Sequence, residues 1–214
     1  MNQQKKINAY CEAHTTLPVP ELYELERETH LRTLSPQMIS GRVQGHLLTL
    51  LASLSRPKLA LEIGTFTGYA SICIAKGLPE GSMLHTIEIN SELAHISTKF
   101  FEKSGLADRI TAHVGDARTI IPVLGLRFDF VFLDAAKFDY HYYYEMLVEL
   151  LNEGGLLIAD NVLWDGKVVA KSSDADTIIL DEFNKMVNAD PRVENLILPI
   201  RDGVLVARKV GGGI

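Results

Sequence analysis

The sequence is poor in cysteine. Among its 214 residues there are two cysteines, Cys11 and Cys73, which lie far apart and lack the spacing of a metal-binding pair. A disulfide framework and a zinc site on paired cysteines are therefore excluded. Free thiols in a reducing compartment are the expected state of both residues.

Long apolar stretches are missing as well. The chain has no run of the about 20 apolar residues that a membrane-spanning helix requires. Its first ten residues, MNQQKKINAY, lack the apolar core of a signal peptide. We therefore expect a cytoplasmic protein with no membrane partner.

Basic residues are outnumbered by acidic ones. The 21 lysines and arginines face 27 aspartates and glutamates, which gives a formal net charge of -6. This balance argues against a nucleic-acid partner, although a local basic patch is compatible with it. The length and the hydrophobic content of 47% suit one α/β domain with a sizeable core.

Several catalytic motifs are absent. None of the seven histidines forms H-x-x-x-H or H-E-x-x-H, and neither a G-x-S-x-G elbow nor a Walker motif occurs. The glycine spacing of residues 64–68 is G-x-x-x-G, which differs from the dinucleotide fingerprint G-x-G-x-x-G. These absences argue against zinc proteases, α/β-hydrolases, P-loop proteins and nicotinamide-dependent oxidoreductases.

What the chain does contain is a strand, a glycine turn and a helix in direct succession. Residues 59–63 form a short apolar run, residues 64–68 carry two glycines, and residues 69–77 have apolar side chains at helical spacing. A strand that leads through a glycine turn into a helix N-terminus predicts a nucleotide-cofactor site in a doubly wound sheet.

Apolar strands and amphipathic helices alternate after this point, which predicts a mainly parallel sheet with right-handed crossovers. Residues 1–55 are expected to be helical, and residues 56–210 to form the cofactor-binding α/β core of a single domain. The predicted strands are 59–63, 83–89, 110–114, 128–133 and 155–159, and the predicted helices between and after them are 69–77, 91–104, 117–124, 138–152 and 174–189. Residues 193–200 and 204–210 predict a terminal antiparallel β-hairpin.

Acidic residues lie at the end of each of the five predicted strands. They are Glu62, Glu88, Asp116, Asp134 and Asp160. Ligands bind at the carboxyl ends of strands in such sheets, so we interpret the five as parts of one site. Glu88 is placed to accept two ribose hydroxyls, whereas Asp116 suits either an adenine contact or the N-cap of the following helix.

The later strand ends predict a metal site and a base. Asp134, Asp160 and Asn161 offer hard oxygen ligands, which suit Mg²⁺, Mn²⁺ or Ca²⁺. Lys137 follows Asp134 by three residues and could act as a general base in the same pocket. The alternative is a surface lysine paired with Asp139 or Glu145.

Trp164, the only tryptophan, lies three residues after Asn161. Its indole could form the wall of an aromatic substrate site, or it could simply pack in its loop. We expect the N-terminal helices and the loop 164–175 to shape the acceptor pocket.

The sequence resembles the cation-dependent class I S-adenosylmethionine O-methyltransferases, which include the catechol and caffeoyl-CoA O-methyltransferases. The resemblance covers about residues 35–209 and is greatest to the small bacterial members. The segments that carry it are LEIGTFTGYAS, TIEIN, VGDA, FLDAAKFDYHYYYE, GGLLIADNVLWDGKV and FNKMVNADPRVENLILPIRDGVLVARK.

The resemblance implies a Rossmann-like fold, S-adenosylmethionine and a divalent cation as cofactors, a homodimer and the following roles. The implied cofactor-binding residues are Met38, Ser40, Glu62, Gly64, Thr65, Gly68, Ser71, Glu88, Asp116, Ala117 and Asp134. The implied metal ligands are Asp134, Asp160 and Asn161, the catalytic residues are Lys137 and Asp134, and the substrate contacts are Lys137, Trp164 and Asp165.

Three positions depart from the family pattern. Ala70 replaces a serine that holds the cofactor carboxylate, with Ser71 one residue later, and Ala136 replaces a second carboxylate near the cofactor. Arg201 stands where the last hairpin of the family has glycine.

These residues lead to the hypothesis of methyl transfer to one hydroxyl of a catechol-like or phenylpropanoid small molecule. A nucleic-acid methyltransferase is the first alternative, which the acidic net charge disfavours. A methyltransferase for another small-molecule acceptor and a non-catalytic S-adenosylmethionine-binding protein are the others.

Overall fold

The computed structural model describes residues 3–170 and 173–211 and confirms the predicted alternation of strands and helices. The helices are α1 (Gln3–Ala13), α2 (Pro20–Arg32), α3 (Gly41–Ser55), α4 (Tyr69–Gly77), α5 (Ala94–Lys103), α6 (Ala117–Leu124), α7 (Tyr140–Leu150), α8 (Lys167–Ala170) and α9 (Ala175–Ala189). The strands are β1 (Leu59–Ile63), β2 (Met83–Glu88), β3 (Ile110–Val114), β4 (Phe128–Leu133), β5 (Leu151–Asp160), β6 (Val193–Leu198) and β7 (Val204–Lys209).

The seven strands form one mixed sheet in the order β3-β2-β1-β4-β5-β7-β6. The pairs among β1 to β5 are parallel, and β7 pairs antiparallel with both β5 and β6. β1 and β4 are neighbours although the chain passes through β2 and β3 between them. The predicted parallel sheet ending in an antiparallel hairpin is therefore confirmed.

Helices cover both faces of the sheet, which explains why the central strands are continuous apolar runs. On one face, Leu48 of α3 and Ile72 of α4 are fully buried in a cluster with Phe132 of β4. On the other face, Tyr144 of α7 and Phe183 of α9 are fully buried in a second cluster.

The prediction was wrong for the junction of α7 and β5. The helix expected over residues 138–152 ends at Leu150, and the strand expected at 155–159 begins at Leu151. Leu151 pairs with Phe128, and the register then shifts so that Leu156 pairs with Phe130. Gly154, with a φ of 77°, lies in this irregular part of the strand. The glycine therefore marks an interruption within β5 and not the start of the strand.

The N-terminal segment is helical as predicted, with a short 3₁₀ turn, Pro36–Met38, before α3. Gly45 of α3 allows a close approach to α4, since a Cβ there would lie 2.8 Å from the Cys73 sulfur and from the Tyr69 ring. Gly45 therefore serves the packing of α3 against α4. Among residues 3–170 and 173–211, no helix has the length and apolarity needed to cross a membrane.

Candidate active site

The centre of the site is the place where β1 and β4 end side by side. The backbone N–H of Asp134 donates to the carbonyl oxygen of Ile63 at 2.9 Å. Gly64 follows Ile63 with a φ of 101°, and a Cβ at this position would overlap the carbonyl oxygen of Asp134. Only glycine permits this approach, which brings the glycine turn and Asp134 together.

A small pocket opens at this junction. Five of the predicted cofactor-binding residues line it, and they come from three separate segments of the chain. The full lining consists of Met38, Ile39, Ser40, Gly64, Thr65, Phe66, Tyr69, Ala70 and Asp134.

Glu62 lies behind this pocket and is completely buried. Its Oε2 accepts hydrogen bonds from the hydroxyls of Ser71 and Thr86, while Oε1 has no partner. Burial raises the pKa of Glu62 to about 8, despite the two hydroxyl donors that lower it. Ser71, expected at the cofactor, is thus fully buried with its hydroxyl directed at Glu62.

Two other residues of the turn have local structural partners. The hydroxyls of Thr65 and Thr86 are hydrogen bonded to each other. Gly68 has a φ of 94°, and a Cβ there would lie 2.7 Å from the Phe101 ring of α5. The glycine at the end of the turn therefore serves the packing of α4 against α5.

Glu88 stands at the end of β2 with both carboxylate oxygens engaged by backbone donors. The N–H of Phe66 donates to Oε2 at 2.7 Å, and the N–H of Asn90 donates to Oε1 at 2.9 Å. Each oxygen keeps a second lone pair, so the side chain is held in place and can still accept from a diol.

Asp116 is the N-cap of α6, which is one of the two roles that the sequence offered. Its Oδ1 accepts from the backbone N–H of Arg118, and the Arg118 guanidinium contacts both carboxylate oxygens. This hydrogen bonding to Arg118 lowers the pKa of Asp116. Ala117 is buried at the first position of the helix.

Lys137 is largely buried beside the end of β4. Its Nζ lies 2.7 Å from the hydroxyl oxygen of Tyr140 and 3.1 Å from Asp134 Oδ1. The Tyr140 hydroxyl donates to the carbonyl oxygen of Asp160 at 2.9 Å, which leaves its oxygen free to accept from the lysine. The alternative of a surface lysine paired with Asp139 or Glu145 is wrong.

Asp160 ends β5 and is 3% exposed. Its Oδ2 accepts from the side-chain amide of Gln44 at 2.6 Å, and its Oδ1 accepts from the backbone N–H of Asn161 at 2.7 Å. Burial raises the pKa of Asp160 to about 6, and the nearby charge of Asp134 adds to this effect.

The next loop carries Asn161, Trp164 and Asp165, all in the left-handed region with φ of 59°, 49° and 53°. The backbone N–H of Asp165 donates to the Asp202 carboxylate. Trp164 is half-buried against the core, and Lys167 Nζ lies 5.9 Å from its ring centroid. Phe66 and Arg201 also have positive φ, so non-glycine residues with unfavourable backbone angles are concentrated at this edge of the sheet.

Three further residues belong to the site but were not expected there. Gln44 supports Asp160, Phe66 supports Glu88 through its backbone, and Tyr140 supports Lys137. Only Gln44 had a signal in the sequence, as a polar residue on the buried face of α3. Lys171 and Ser172 of the predicted acceptor loop lie outside the described residues.

A family model described as O-methyltransferase matches residues 12–210. The chain is 35% identical over 187 residues to caffeoyl-CoA O-methyltransferase 1 of Eucalyptus globulus, with 81% of this chain and 75% of that protein covered. It is 34% identical over 210 residues to the caffeoyl-CoA O-methyltransferase of Petroselinum crispum, with 89% and 85% covered.

Solved structures have the same fold. The O-methyltransferase TomG from Streptomyces achromogenes, in complex with S-adenosylmethionine, superposes with a TM-score of 0.89 at 29% identity and covers 99% of this chain and 100% of its own. The S-adenosylhomocysteine-bound methyltransferase PaMTH1 from Podospora anserina gives a TM-score of 0.89 at 28% identity, with 99% and 97% covered.

Proposed function

The chain belongs to the O-methyltransferase family, and on that premise we propose that it methylates one hydroxyl of a catechol-like or phenylpropanoid small molecule. S-adenosylmethionine is the proposed methyl donor, and a divalent cation is the proposed second cofactor. The main support for this proposal is the position of Asp134, which lines the pocket at the glycine turn and also contacts Lys137. A methyl donor in that pocket would lie next to the candidate base.

The residues present fit an adenosine cofactor with an amino-acid end. Gly64 leaves the pocket open at its centre, and Met38 and Ser40 border it. The buried Oε1 of Glu62 has no hydrogen-bond partner, and a bound ammonium group nearby would supply a donor to it and favour the ionised carboxylate. Glu88 is held by Phe66 in a position to accept the ribose hydroxyls.

The residues present also fit a hard divalent cation. Asp134 is close enough to the buried Asp160 for its charge to raise the pKa of Asp160. A cation held by these carboxylates and by Asn161 would supply Lewis acidity to the acceptor oxygens. Among the described residues, no group of three His, Cys, Asp or Glu side chains forms a metal site, so the third protein ligand in the proposal is the Asn161 amide.

Lys137 is the proposed base. Its Nζ is held in place by two acceptors, the Tyr140 hydroxyl oxygen and the Asp134 carboxylate. In the proposed step, the amine of Lys137 would take the proton of the attacking hydroxyl. The hydroxyl oxygen would gain the methyl group as the sulfur–methyl bond of S-adenosylmethionine breaks, with S-adenosylhomocysteine as the leaving group. Positioning of the two reactants supplies much of the rate, up to about 7–11 kcal/mol in well-oriented systems. Trp164 and Asp165 are the proposed contacts of the methyl acceptor and form the acceptor rim of the site.

The test is a panel of catechols, caffeoyl derivatives and monophenols with labelled S-adenosylmethionine. Protein treated with EDTA is assayed with and without added Mg²⁺. We expect methylation of vicinal diols only when Mg²⁺ is present. Full activity in EDTA would overturn the proposed requirement for a divalent cation. A preference for monophenols would overturn the proposal that the acceptor is a vicinal diol.

The same panel separates the remaining alternative, a non-catalytic cofactor-binding protein. Such a protein would bind S-adenosylhomocysteine in calorimetry and methylate no acceptor in the panel. Light scattering of the purified protein tests the homodimer that the family resemblance implies, and fractionation of the source cells tests the cytoplasmic location.

A further inference from the structure

The loop between β6 and β7, residues 201–203, reaches the segment that borders the cofactor pocket. Arg201 Nη1 donates to the carbonyl oxygen of Ile39 at 2.7 Å and also to that of Ser40. Arg201 Nη2 donates to the carbonyl oxygen of Gln37 at 3.2 Å. One guanidinium thus binds three carbonyls of a segment about 160 residues away in the sequence.

Ile39 of this segment packs into the hydrophobic core, but the segment has few other hydrogen bonds to hold its shape. Its own hydrogen bonds are the N–H of Met38 to Ser35 and the N–H of Ile39 to Pro36, within a single 3₁₀ turn. The following helix, α3, begins without a side-chain cap at Ser40. The segment therefore depends on Arg201 more than a regular helix or strand would.

Arg201 occupies its position at an energetic cost. Its φ of 51° lies in the left-handed region, which is unfavourable for a non-glycine residue. A cation near the N-terminus of α3 also opposes the helix dipole. Unfavourable backbone angles that persist next to a site suggest a functional reason for them.

We propose that Arg201 is a positioning residue that clamps residues 37–40 in the shape required for cofactor binding. The inference rests on the proposed function, because Met38, Ile39 and Ser40 line the pocket assigned to S-adenosylmethionine. Arg201 acts through this segment and touches no reacting atom.

The same loop also reaches the acceptor side of the site. Asp202 accepts from the N–H of Asp165, and a Cβ at Gly203 would overlap Leu163. Residues 201–203 therefore contact both rims of the site, with Arg201 serving the cofactor rim. A variant that tests the cofactor rim alone must therefore change Arg201 and leave Asp202 and Gly203 intact.

The decisive variant is Arg201→Gly, which removes the guanidinium and relieves the unfavourable φ at once. The matched control is Arg56→Gly, because Arg56 also has a left-handed φ, of 50°, and is exposed at the opposite end of α3. Both substitutions remove one positive charge and introduce glycine where glycine is favoured, so only the clamp differs. Arg201→Lys retains the charge but cannot reach three carbonyls from one planar group.

Three measurements are made on each protein: S-adenosylhomocysteine affinity by calorimetry, amide hydrogen exchange without ligand, and steady-state kinetics. In Arg201→Gly we expect about tenfold weaker binding, equivalent to the loss of one charged hydrogen bond. Exchange of the Met38 and Ile39 amides should accelerate, while amides of β1 keep their rates. Arg201→Lys should be intermediate in affinity and exchange, and Arg56→Gly should match wild type in both. In Arg201→Gly, kcat at saturating cofactor should change less than the KM for S-adenosylmethionine.

Unchanged exchange at Met38 and Ile39 in Arg201→Gly would overturn the clamp. Faster exchange with unchanged affinity would overturn its role in cofactor binding. If wild type itself fails to bind S-adenosylhomocysteine, the proposed function falls together with this inference. If wild type binds and methylates while Arg201→Gly binds equally well, only this inference falls.

Discussion

The two halves of the active-site edge are held together in different ways. On the cofactor side, the carboxylates at the ends of β2 and β3 accept from backbone N–H groups close in sequence, Glu88 from Asn90 and Asp116 from Arg118. On the acceptor side, Asp160 accepts from Gln44, which is 116 residues away. Glu88 also accepts from the N–H of Phe66, and Asp160 also accepts from the adjacent N–H of Asn161. The two sides therefore differ in their donors: backbone N–H groups hold Glu88, whereas the buried Asp160 also needs a side chain from a distant helix.

This difference predicts different responses to substitution. A change on the cofactor side should alter binding of one ligand and leave the rest of the site intact. A change on the acceptor side should affect catalysis, because buried polar groups there depend on one another. The four predictions below run from the largest expected effect to the smallest.

Lys137→Ala should reduce kcat by about 10²–10⁴-fold, the usual contribution of a general base. Affinity for S-adenosylhomocysteine should stay within about threefold of wild type, since the carboxylates of Glu62, Glu88 and Asp116 are untouched. Steady-state kinetics and calorimetry measure the two quantities. The control is Lys185→Ala, because Lys185 is an exposed lysine of α9 paired with Asp181.

Near-normal turnover in Lys137→Ala would rule out its role as base. Tyr140→Phe sharpens the result, because it removes one hydrogen-bond partner of the lysine and keeps the ring in the core. We expect about a tenfold loss of kcat there, from the loss of one charged hydrogen bond.

Gly64→Ala should break the junction between the two halves. The new methyl group would overlap the carbonyl of Asp134, and the residue would keep an unfavourable φ, for a combined loss of about 2–5 kcal/mol in free energy of unfolding. Urea denaturation measures the loss. Gly81→Ala is the control, because Gly81 has a φ of 77° but no heavy atom within 4 Å of an added Cβ. Equal losses in the two variants would show that β1 and β4 can separate at this point without cost.

The halves also differed in how well the sequence predicted them. The bounds of β1, α4, β3, α6 and β4 agree with prediction, because each segment has its own periodicity and is delimited by glycine or a cap. The glycine turn at residues 64–68 was likewise a local signal. The end of α7 and the start of β5 were less clear, because apolar residues continue through that junction.

Tertiary partners could not be predicted in this way. Nothing in the sequence near Asp160 indicates Gln44, and nothing near Arg201 shows that its guanidinium points to residues 37–40. Such contacts depend on the strand order, which places the end of β5 beside α3 and the hairpin loop above the pocket. The roles assigned to the site residues remain predictions.

Glu88→Gln tests whether the cofactor side acts independently. The substitution keeps one oxygen acceptor and removes the charge, so we expect about tenfold weaker S-adenosylhomocysteine binding. kcat at saturating cofactor should stay within about threefold, because the Lys137 contacts are unchanged. Calorimetry and kinetics measure these values, with Glu92→Gln as the exposed neighbour for control. A large loss of kcat would show that the two halves are coupled.

Glu62→Gln tests the pH dependence of stability. The pKa of Glu62 is raised from 4.5 to about 8 by burial, so the folded state keeps its proton over a range in which the unfolded state loses it. The stabilisation is complete below pH 4.5 and is lost as the pH rises through about 8. Free energy of unfolding should therefore fall more steeply with pH in wild type than in Glu62→Gln.

Urea denaturation at several pH values within this window measures the difference in slope. Glu80→Gln, at an exposed turn, is the control and should follow wild type. Identical slopes in wild type and Glu62→Gln would show that Glu62 is ionised in the folded protein throughout the window. The ligand-free protein is used, so that cofactor binding makes no contribution.

The position of β7 has a consequence for synthesis of the protein. β7 lies between β5 and β6, although it follows both in the chain. While the polypeptide is being translated, the edge of β5 that carries Asp160 has no partner strand until Val204–Lys209 has left the ribosome. Nascent chains shorter than this expose that edge to other proteins in the cell, so chaperone contact should be strongest just before β7 emerges.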